Sequence, residues 1–241
     1  MKTEVFLKMK NIIKFNLKSI LGNFNCKVIF PGEHTPRGLE PFVVEYYMRI
    51  SKGILHVGAH IGSEAAFYDG LEKPVLWIEG NPNVLERLNQ NVSKYRNQKV
   101  LNVLVGDEDG ESEIYLTDNE VSSSALRISD IGQIEFGIQE TKSIKVNSKT
   151  LDSIAQEVPI ETYDFWVIDV QGFEMAVLRG GWQTLKLAKF LLIECSTEKY
   201  YNYMALYPEI RKALVSIGFY PVLSQRGKHF EMLFINSKLS V

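Results

Sequence analysis

The residues best suited to chemistry lie in the stretch His-Val-Gly-Ala-His-Ile-Gly at 56–62, which joins an apolar run to a helical pattern. Glycine lets the backbone approach a ligand closely, and the free N–H groups of a following helix can bind polar atoms. The spacing is G-x-x-x-G, whereas dinucleotide-binding turns use G-x-G-x-x-G to admit a pyrophosphate. We therefore predict a ligand-binding turn at Gly58, Ala59 and Gly62, with His60 facing either a cofactor or an acceptor.

A second candidate is Glu79, which ends the next apolar run 21 residues after Gly58. An acid at the tip of the second strand can accept hydrogen bonds from both ribose hydroxyls of an adenosine-containing ligand. The alternative is a strand-end acid that caps a helix beginning at Asn81-Pro82, which is a good helix start. We favour the ribose role and place Gly80 and Asn81 beside it.

A third candidate is the pair Gly106 and Asp107, which follows an apolar run at 100–105. If that run is the third strand, Asp107 lies where an adenine would bind and could accept a hydrogen bond from its exocyclic amine. The same residues could equally begin a turn at 107–110.

The fourth candidate is Asp169-Val-Gln-Gly-Phe-Glu174, directly after the apolar run at 165–168. Because the carboxyl ends of strands line the ligand crevice in open α/β sheets, Asp169 should point toward the reacting centre and could accept a proton. The segment could alternatively be a helix-capping loop in which Glu174 complements the helix dipole. Asp169 and Glu194 could also hold Mg²⁺ against an acceptor.

These candidates are positioned by apolar runs that alternate with helical stretches from Gly53 onward, a pattern typical of a parallel sheet covered by helices. The chain closes on two runs, 219–223 and 230–235, that predict a hairpin. We predict an α/β fold of the Rossmann-like class I methyltransferase type, with a mostly parallel seven-stranded sheet and a C-terminal antiparallel hairpin. A helical extension at 1–52 precedes this domain at 53–241, which contains an inserted strand and loop region at about 107–150.

The composition of the chain limits the classes of partner and the compartment that we expect. The formal charge of −2 and pI of about 6.1 give no electrostatic reason to expect a nucleic acid. Cys26 and Cys195 are far apart and lack CxxC spacing, which argues against a zinc knuckle or disulfide framework and favours the cytoplasm. No apolar run reaches the eighteen residues that would span a bilayer.

The segment at 2–21 has apolar residues at helical spacing with lysines largely elsewhere on the wheel, which predicts a basic amphipathic helix. We expect this helix to pack on the domain or on a second subunit. A peripheral contact with a membrane surface is the alternative.

Together and in order, these motifs resemble the FkbM-type methyltransferase family over roughly residues 53–235. The resemblance is carried by 56–62, Glu64, 77–82, 122–126, 150–152 and 164–180. It is closest to a subset with His-Val-Gly-Ala-His and Asp-Val-Gln-Gly motifs, although that subset tends to have Glu-Val-Asn where this chain has Glu-Cys-Ser at 194–196. It implies S-adenosylmethionine as cofactor and O-methylation of a hydroxyl on a sugar, glycan or secondary metabolite.

The predicted catalytic residue is Asp169, with His60 as the second choice. The predicted cofactor shell comprises His56, Gly58, Ala59, His60, Gly62, Glu64, Glu79, Gly80, Asn81, Gly106, Asp107, Asp169 and Gln171. Within it, we interpret His56 as a hydrogen-bonded structural residue rather than a base. His34 and His229 are expected to be surface histidines, with a position over the pocket as the alternative.

Two rival functions are a nicotinamide-dependent oxidoreductase and a non-catalytic cofactor-binding module in a glycan assembly complex.

Overall fold

The computed structural model describes residues 40–239, so the predicted helix at 2–21 and His34 lie outside the described residues. The helices are α1 (Glu40–Ile50), α2 (Ala65–Gly70), α3 (Leu85–Val92), α4 (Asp130–Phe136), α5 (Leu151–Glu157), α6 (Glu174–Gly180) and α7 (Tyr207–Ile217). The strands are β1 (Ile54–Val57), β2 (Val75–Glu79), β3 (Gln98–Asn102), β4 (Leu104–Val105), β5 (Gly110–Thr117), β6 (Glu140–Lys149), β7 (Phe165–Ile168), β8 (Phe190–Ser196), β9 (Phe219–Pro221) and β10 (His229–Asn236). Within 40–239, no helix is long and apolar enough to cross a membrane.

Seven strands form the main sheet in the order β3-β2-β1-β7-β8-β10-β9. The first five in this order are parallel neighbours, whereas β10 runs antiparallel to both β8 and β9. This confirms the predicted class I methyltransferase-type fold, with its C-terminal antiparallel hairpin. The chain order reverses between β1 and β7, which is where open α/β sheets bind ligands, beyond the carboxyl ends of the strands.

The central strands are largely apolar because the sheet is buried on both faces. Every residue of β1, β2 and β7 is buried. The two fully buried tryptophans satisfy their indole N–H groups internally: Trp77 donates to Gln98 Oε1 at 2.9 Å and Trp166 to the Tyr163 carbonyl at 2.8 Å. Helix α1 packs on this core through Met48 and through Tyr47, which contacts the Phe190 ring.

The region inserted after β3 forms a separate three-stranded sheet in the order β4-β6-β5. The strand predicted at 100–105 is therefore wrong as a single element: β3 ends at Asn102, and β4 pairs with β6 in the smaller sheet. The chain leaves the main sheet at Val103, whose N–H is bonded to the Glu79 carbonyl. Periodicity missed this change because the apolar run continues across it.

Helix α3 also begins later than predicted, at Leu85 rather than at Asn81-Pro82. The Asn81 side chain accepts a hydrogen bond from the Asn83 N–H at 3.0 Å and so closes a turn that precedes the helix. Asparagine and proline favour such turns as strongly as they favour helix starts.

Gly58 fixes how closely the ends of β1 and β7 approach each other. Its φ is +87°, and a Cβ at this position would overlap the Asp169 carbonyl oxygen. Any side chain would therefore meet both a strained backbone and a main-chain atom that cannot rotate away.

We expect Gly58→Ala to lower the free energy of unfolding by about 2 kcal/mol or more, because strain and overlap add. Chemical denaturation measures the change. Gly70→Ala is the matched control, since nothing lies within 4 Å of a Cβ there. A Gly58→Ala protein as stable as the control would show that the β1–β7 approach is not a constraint.

Candidate active site

A cleft opens beyond the carboxyl ends of β1, β2 and β7, at the reversal of strand order. It brings together seven of the predicted site residues: Gly58, His60, Glu79, Gly80, Asn81, Asp169 and Gln171. Apolar walls come from Val57, Ile78, Val103, Leu104, Val105, Ile114, Val170 and Phe173. The segment from Glu120 to Ala125, which belongs to the inserted region, also lines the cleft.

Glu79 organises the floor of this cleft from the end of β2. It is buried, and its two carboxylate oxygens accept hydrogen bonds from the backbone N–H groups of His60 (2.7 Å) and Asn81 (2.6 Å). Burial raises the pKa of Glu79, while these N–H groups act in the opposite direction. Because each carboxylate oxygen can accept a second bond, Glu79 still has acceptor capacity toward the cleft.

The cleft fits an adenosine group, which needs hydrogen-bond acceptors for its ribose hydroxyls and apolar walls for its base. Glu79 provides the acceptors, and Ile78, Val103 and Ile114 are among the apolar residues beside it. Ile78 and Glu79 belong to β2, whereas Ile114 lies on β5 of the inserted region, so the site is built where the two sheets meet.

Gly106 and Asp107 do not line this cleft, contrary to the predicted adenine contact. The Asp107 carboxylate is exposed and lies 3.9 Å from Arg179, while Gly106 packs tightly against Gly180. The physical reason is the exit of the chain from the main sheet at Val103, which carries both residues past the cleft.

His60 lies in the glycine turn with a left-handed backbone conformation, at φ +46°. Its Nε2 is 3.5 Å from Glu120 Oε2, and Glu120 also pairs with Arg87. The Arg87 hydrogen bond is the main reason why the pKa of Glu120 is lowered. The imidazole of His60 therefore faces the segment at 120–125.

A second cavity adjoins the cleft and is bounded by α1, α2 and β10. Gly58, His60, Val121 and Asp169 line both spaces, so the two spaces meet beside these residues. Ala59 and Glu64, predicted as cofactor contacts, line this second cavity instead. Gly62 lines neither, because it packs against Leu88.

His56 lies in the core at the wall of the second cavity and not in the cleft. Its Nδ1 is 3.1 Å from the Tyr68 hydroxyl, and its ring stacks on Trp77. Burial lowers the pKa of His56 to about 3, so the imidazole is neutral at physiological pH. This is the environment of a structural histidine rather than of a cofactor ligand.

Asp169 emerges from β7 with its N–H bonded to the Val57 carbonyl at 3.0 Å. Its Oδ1 accepts a hydrogen bond from Gln171 Nε2 at 2.7 Å. Burial, followed by the charge of Glu194, raises the pKa of Asp169 to about 7. A carboxylate with such a pKa is suited to accept a proton near neutral pH.

The Mg²⁺ site considered for Asp169 and Glu194 does not fit this geometry. Gln171 Nε2 lies between the two carboxylates, 2.7 Å from Asp169 and 3.1 Å from Glu194. An amide N–H₂ group presents hydrogen atoms, whereas Mg²⁺ requires oxygen ligands. Across residues 40–239, no group of three or more His, Cys, Asp and Glu side chains could hold a metal ion.

The loop that carries Asp169 is held from two sides. Glu174 is buried and accepts hydrogen bonds from the N–H groups of Gly172 (3.0 Å) and Val170 (3.3 Å), and burial raises its pKa to about 8. Ser124 donates its hydroxyl to the Gln171 carbonyl at 2.7 Å. Glu174, which the sequence suggests as a complement to the helix dipole, thus also holds the preceding loop by hydrogen bonds. The sequence gives no indication of the Ser124 contact beyond the motif at 122–126.

Comparison with known proteins agrees with this geometry. Residues 56–226 match the family model described as the methyltransferase FkbM domain. The 2-O-methyltransferase NoeI of Sinorhizobium fredii (strain NBRC 101917 / NGR234) is 24% identical over 197 residues, covering 77% of this chain and 80% of that protein.

Two solved structures are also similar. Magnesium protoporphyrin IX methyltransferase of Synechocystis PCC 6803, with bound SAM, is 11% identical with a TM-score of 0.44, over 86% of this chain and 87% of that chain. The 1,6-didemethyltoxoflavin-N1-methyltransferase of Burkholderia thailandensis is 15% identical with a TM-score of 0.40, over 83% of this chain and 77% of that chain.

The family model covers more than half of the chain, and the cleft at the strand reversal has the acceptor and the apolar walls that an adenosine group requires. On these grounds the chain belongs to the FkbM family of methyltransferases.

Proposed function

We propose that this protein is an O-methyltransferase that acts on a hydroxyl of a sugar, glycan or secondary metabolite. The observation that carries the proposal is the position of Asp169, which lines both the cleft and the second cavity. Bound S-adenosylmethionine supplies a methyl group on a positively charged sulfonium. A base at this junction can reach an acceptor in the second cavity while the cleft holds the donor.

At the donor end, Glu79 would accept hydrogen bonds from the ribose hydroxyls, and the apolar walls would enclose the adenine. Both tasks need fixed geometry, because methyl transfer depends on aligning the acceptor oxygen with the methyl carbon. The hydrogen bonds from His60 and Asn81 to Glu79 supply that rigidity.

At the acceptor end, Asp169 would take the proton from the hydroxyl as the new bond forms. Gln171 holds Oδ1, which fixes the carboxylate orientation and leaves Oδ2 to receive the proton. A pKa of about 7 keeps enough of the carboxylate ionised at neutral pH while making it a stronger base than an exposed aspartate.

The second cavity favours an uncharged acceptor rich in hydroxyls. The carboxylates of Glu64 and Glu231 line it together with aromatic rings, and Arg226, which also lines it, pairs with Glu40. Carboxylates accept hydrogen bonds from hydroxyls and repel phosphate groups. The similarity to a 2-O-methyltransferase supports oxygen as the methylated atom.

Glu79→Ala should weaken S-adenosylmethionine binding at least tenfold, roughly 1.5 to 3 kcal/mol, because the ribose loses its acceptors. Isothermal titration calorimetry measures the affinity. A denaturation curve shows whether the variant is also destabilised by losing the hydrogen bonds from the His60 and Asn81 N–H groups. Asp69→Ala, an exposed acid on α2, is the control and should bind normally. Unchanged affinity in folded Glu79→Ala would remove Glu79 from the cofactor site.

Asp169→Asn should lower the single-turnover rate of methyl transfer by about 10²-fold, the usual scale for a lost general base. Asparagine keeps an oxygen for Gln171, so cofactor affinity and thermal stability should change little. In the native enzyme the rate should fall as pH drops below about 7, because protonated Asp169 cannot accept the proton. A variant with a near-normal rate would eliminate Asp169 as the base.

The proposed acceptor class is tested with tritiated S-adenosylmethionine and a panel of matched sugars. Neutral saccharides should be methylated, and their phosphorylated counterparts should show kcat/KM at least about tenfold lower because of charge repulsion. Cofactor binding without methyl transfer to any neutral or charged saccharide would instead favour a non-catalytic cofactor-binding module.

A further inference from the structure

A chain of side-chain hydrogen bonds leads from the Asp169 carboxylate to the edge of β10. Gln171 Nε2 bonds both Asp169 Oδ1, at 2.7 Å, and Glu194 Oε2, at 3.1 Å. The other oxygen of Glu194, Oε1, lies 2.8 Å from His229 Nε2. The four residues come from the loop after β7, from β8 and from β10, so the contact depends on the packed sheet.

Each hydrogen bond that Gln171 makes in this series has a defined donor and acceptor. Gln171 can donate two hydrogens through its amide nitrogen, and the two carboxylates on that side are both acceptors. Its carbonyl oxygen faces the other way, 3.2 Å from the Tyr201 hydroxyl. Turning the amide over would place its carbonyl against two carboxylates, so Glu194 and Asp169 together fix its orientation.

We propose that Glu194 and His229 are positioning residues which, through Gln171, orient the Asp169 carboxylate and set its ionisation state. The inference rests on the function proposed above for Asp169. Neither Glu194 nor His229 lines the cleft or the second cavity, so they act without touching cofactor or acceptor.

Glu194 and His229 carry opposite charges, and these have opposite effects on the ionisation of Asp169. The Glu194 charge disfavours an ionised Asp169, and a protonated His229 offsets that effect. The hydrogen bond to Glu194 raises the pKa of His229, which favours its cationic form at neutral pH. The other titratable groups that face Asp169 are Glu231 on β10, Glu174 on α6, Tyr68 on α2 and Tyr201.

The test replaces each residue by glutamine, which retains hydrogen bonding and removes charge. His229→Gln should raise the titration midpoint of Asp169 by at least about half a pH unit, since Glu194 is then uncompensated. Glu194→Gln should shift the midpoint in the opposite direction. The acidic limb of the methyl-transfer rate should move with the midpoint, and His229→Gln should recover its full rate at higher pH.

The midpoint can be read without turnover, from the carboxyl ¹³C resonance of labelled aspartate, assigned by its absence in Asp169→Asn. Lys145→Gln is the matched control: it removes one positive charge from the exposed ion pair with Glu111 on the smaller sheet. It should leave both the midpoint and the rate profile unchanged. S-adenosylmethionine affinity should stay within twofold in all three variants.

Opposite shifts in the two glutamine variants would support the positioning role. Unmoved midpoints, or shifts in the same direction, would overturn it even if the native enzyme methylates its acceptor. A native protein without methyl transfer would instead count against the proposed function, while the ¹³C titration would still show whether His229 and Glu194 control Asp169.

Discussion

The approach of Gly58 to the Asp169 carbonyl is the contact on which the rest of the site depends. It is the point where β1 and β7, the two strands at the reversal of order, continue into the glycine turn and the loop that carries Asp169. With no side chain between them, the two loops share one wall. Glu79 then ties the turn to β2, and Glu174 ties the loop to α6, so both loops beside the cleft are held by hydrogen bonds to neighbouring elements.

Much of the fold could be predicted because parallel strands that are buried on both faces have nearly continuous apolar sequences. That signal located β1, β2, β7 and β8 and the final hairpin. It failed where two structures share one pattern: the run at 100–105 continues from one sheet into another, and Asn81-Pro82 suits a turn as well as a helix start. In the first case the pairing of β4 with β6, more than forty positions along the chain, decides. In the second, a local hydrogen bond between Asn83 and Asn81 selects the turn.

The site follows the same division. Glu79 and Asp169 could be identified because a polar residue after a buried strand must emerge at the carboxyl edge of the sheet. The partnership of Gln171 with Glu194 and His229 could not, since it joins residues from three separate elements. The prediction that Asp107 lies in the cleft fails because it treats the run at 100–105 as one strand of the main sheet. Ser124 had no signal beyond its motif, because its partner lies 47 positions away.

The segment from Glu120 to Ala125 contacts both halves of the site at once. Glu120 faces His60 in the glycine turn, while Ser124 bonds the backbone of the loop that carries Asp169. Displacing this segment would therefore remove its contact with His60 and its hydrogen bond to the Gln171 carbonyl together. This segment and the two loops beside the cleft are consequently coupled through these contacts, so a displacement of the segment changes the surroundings of both loops.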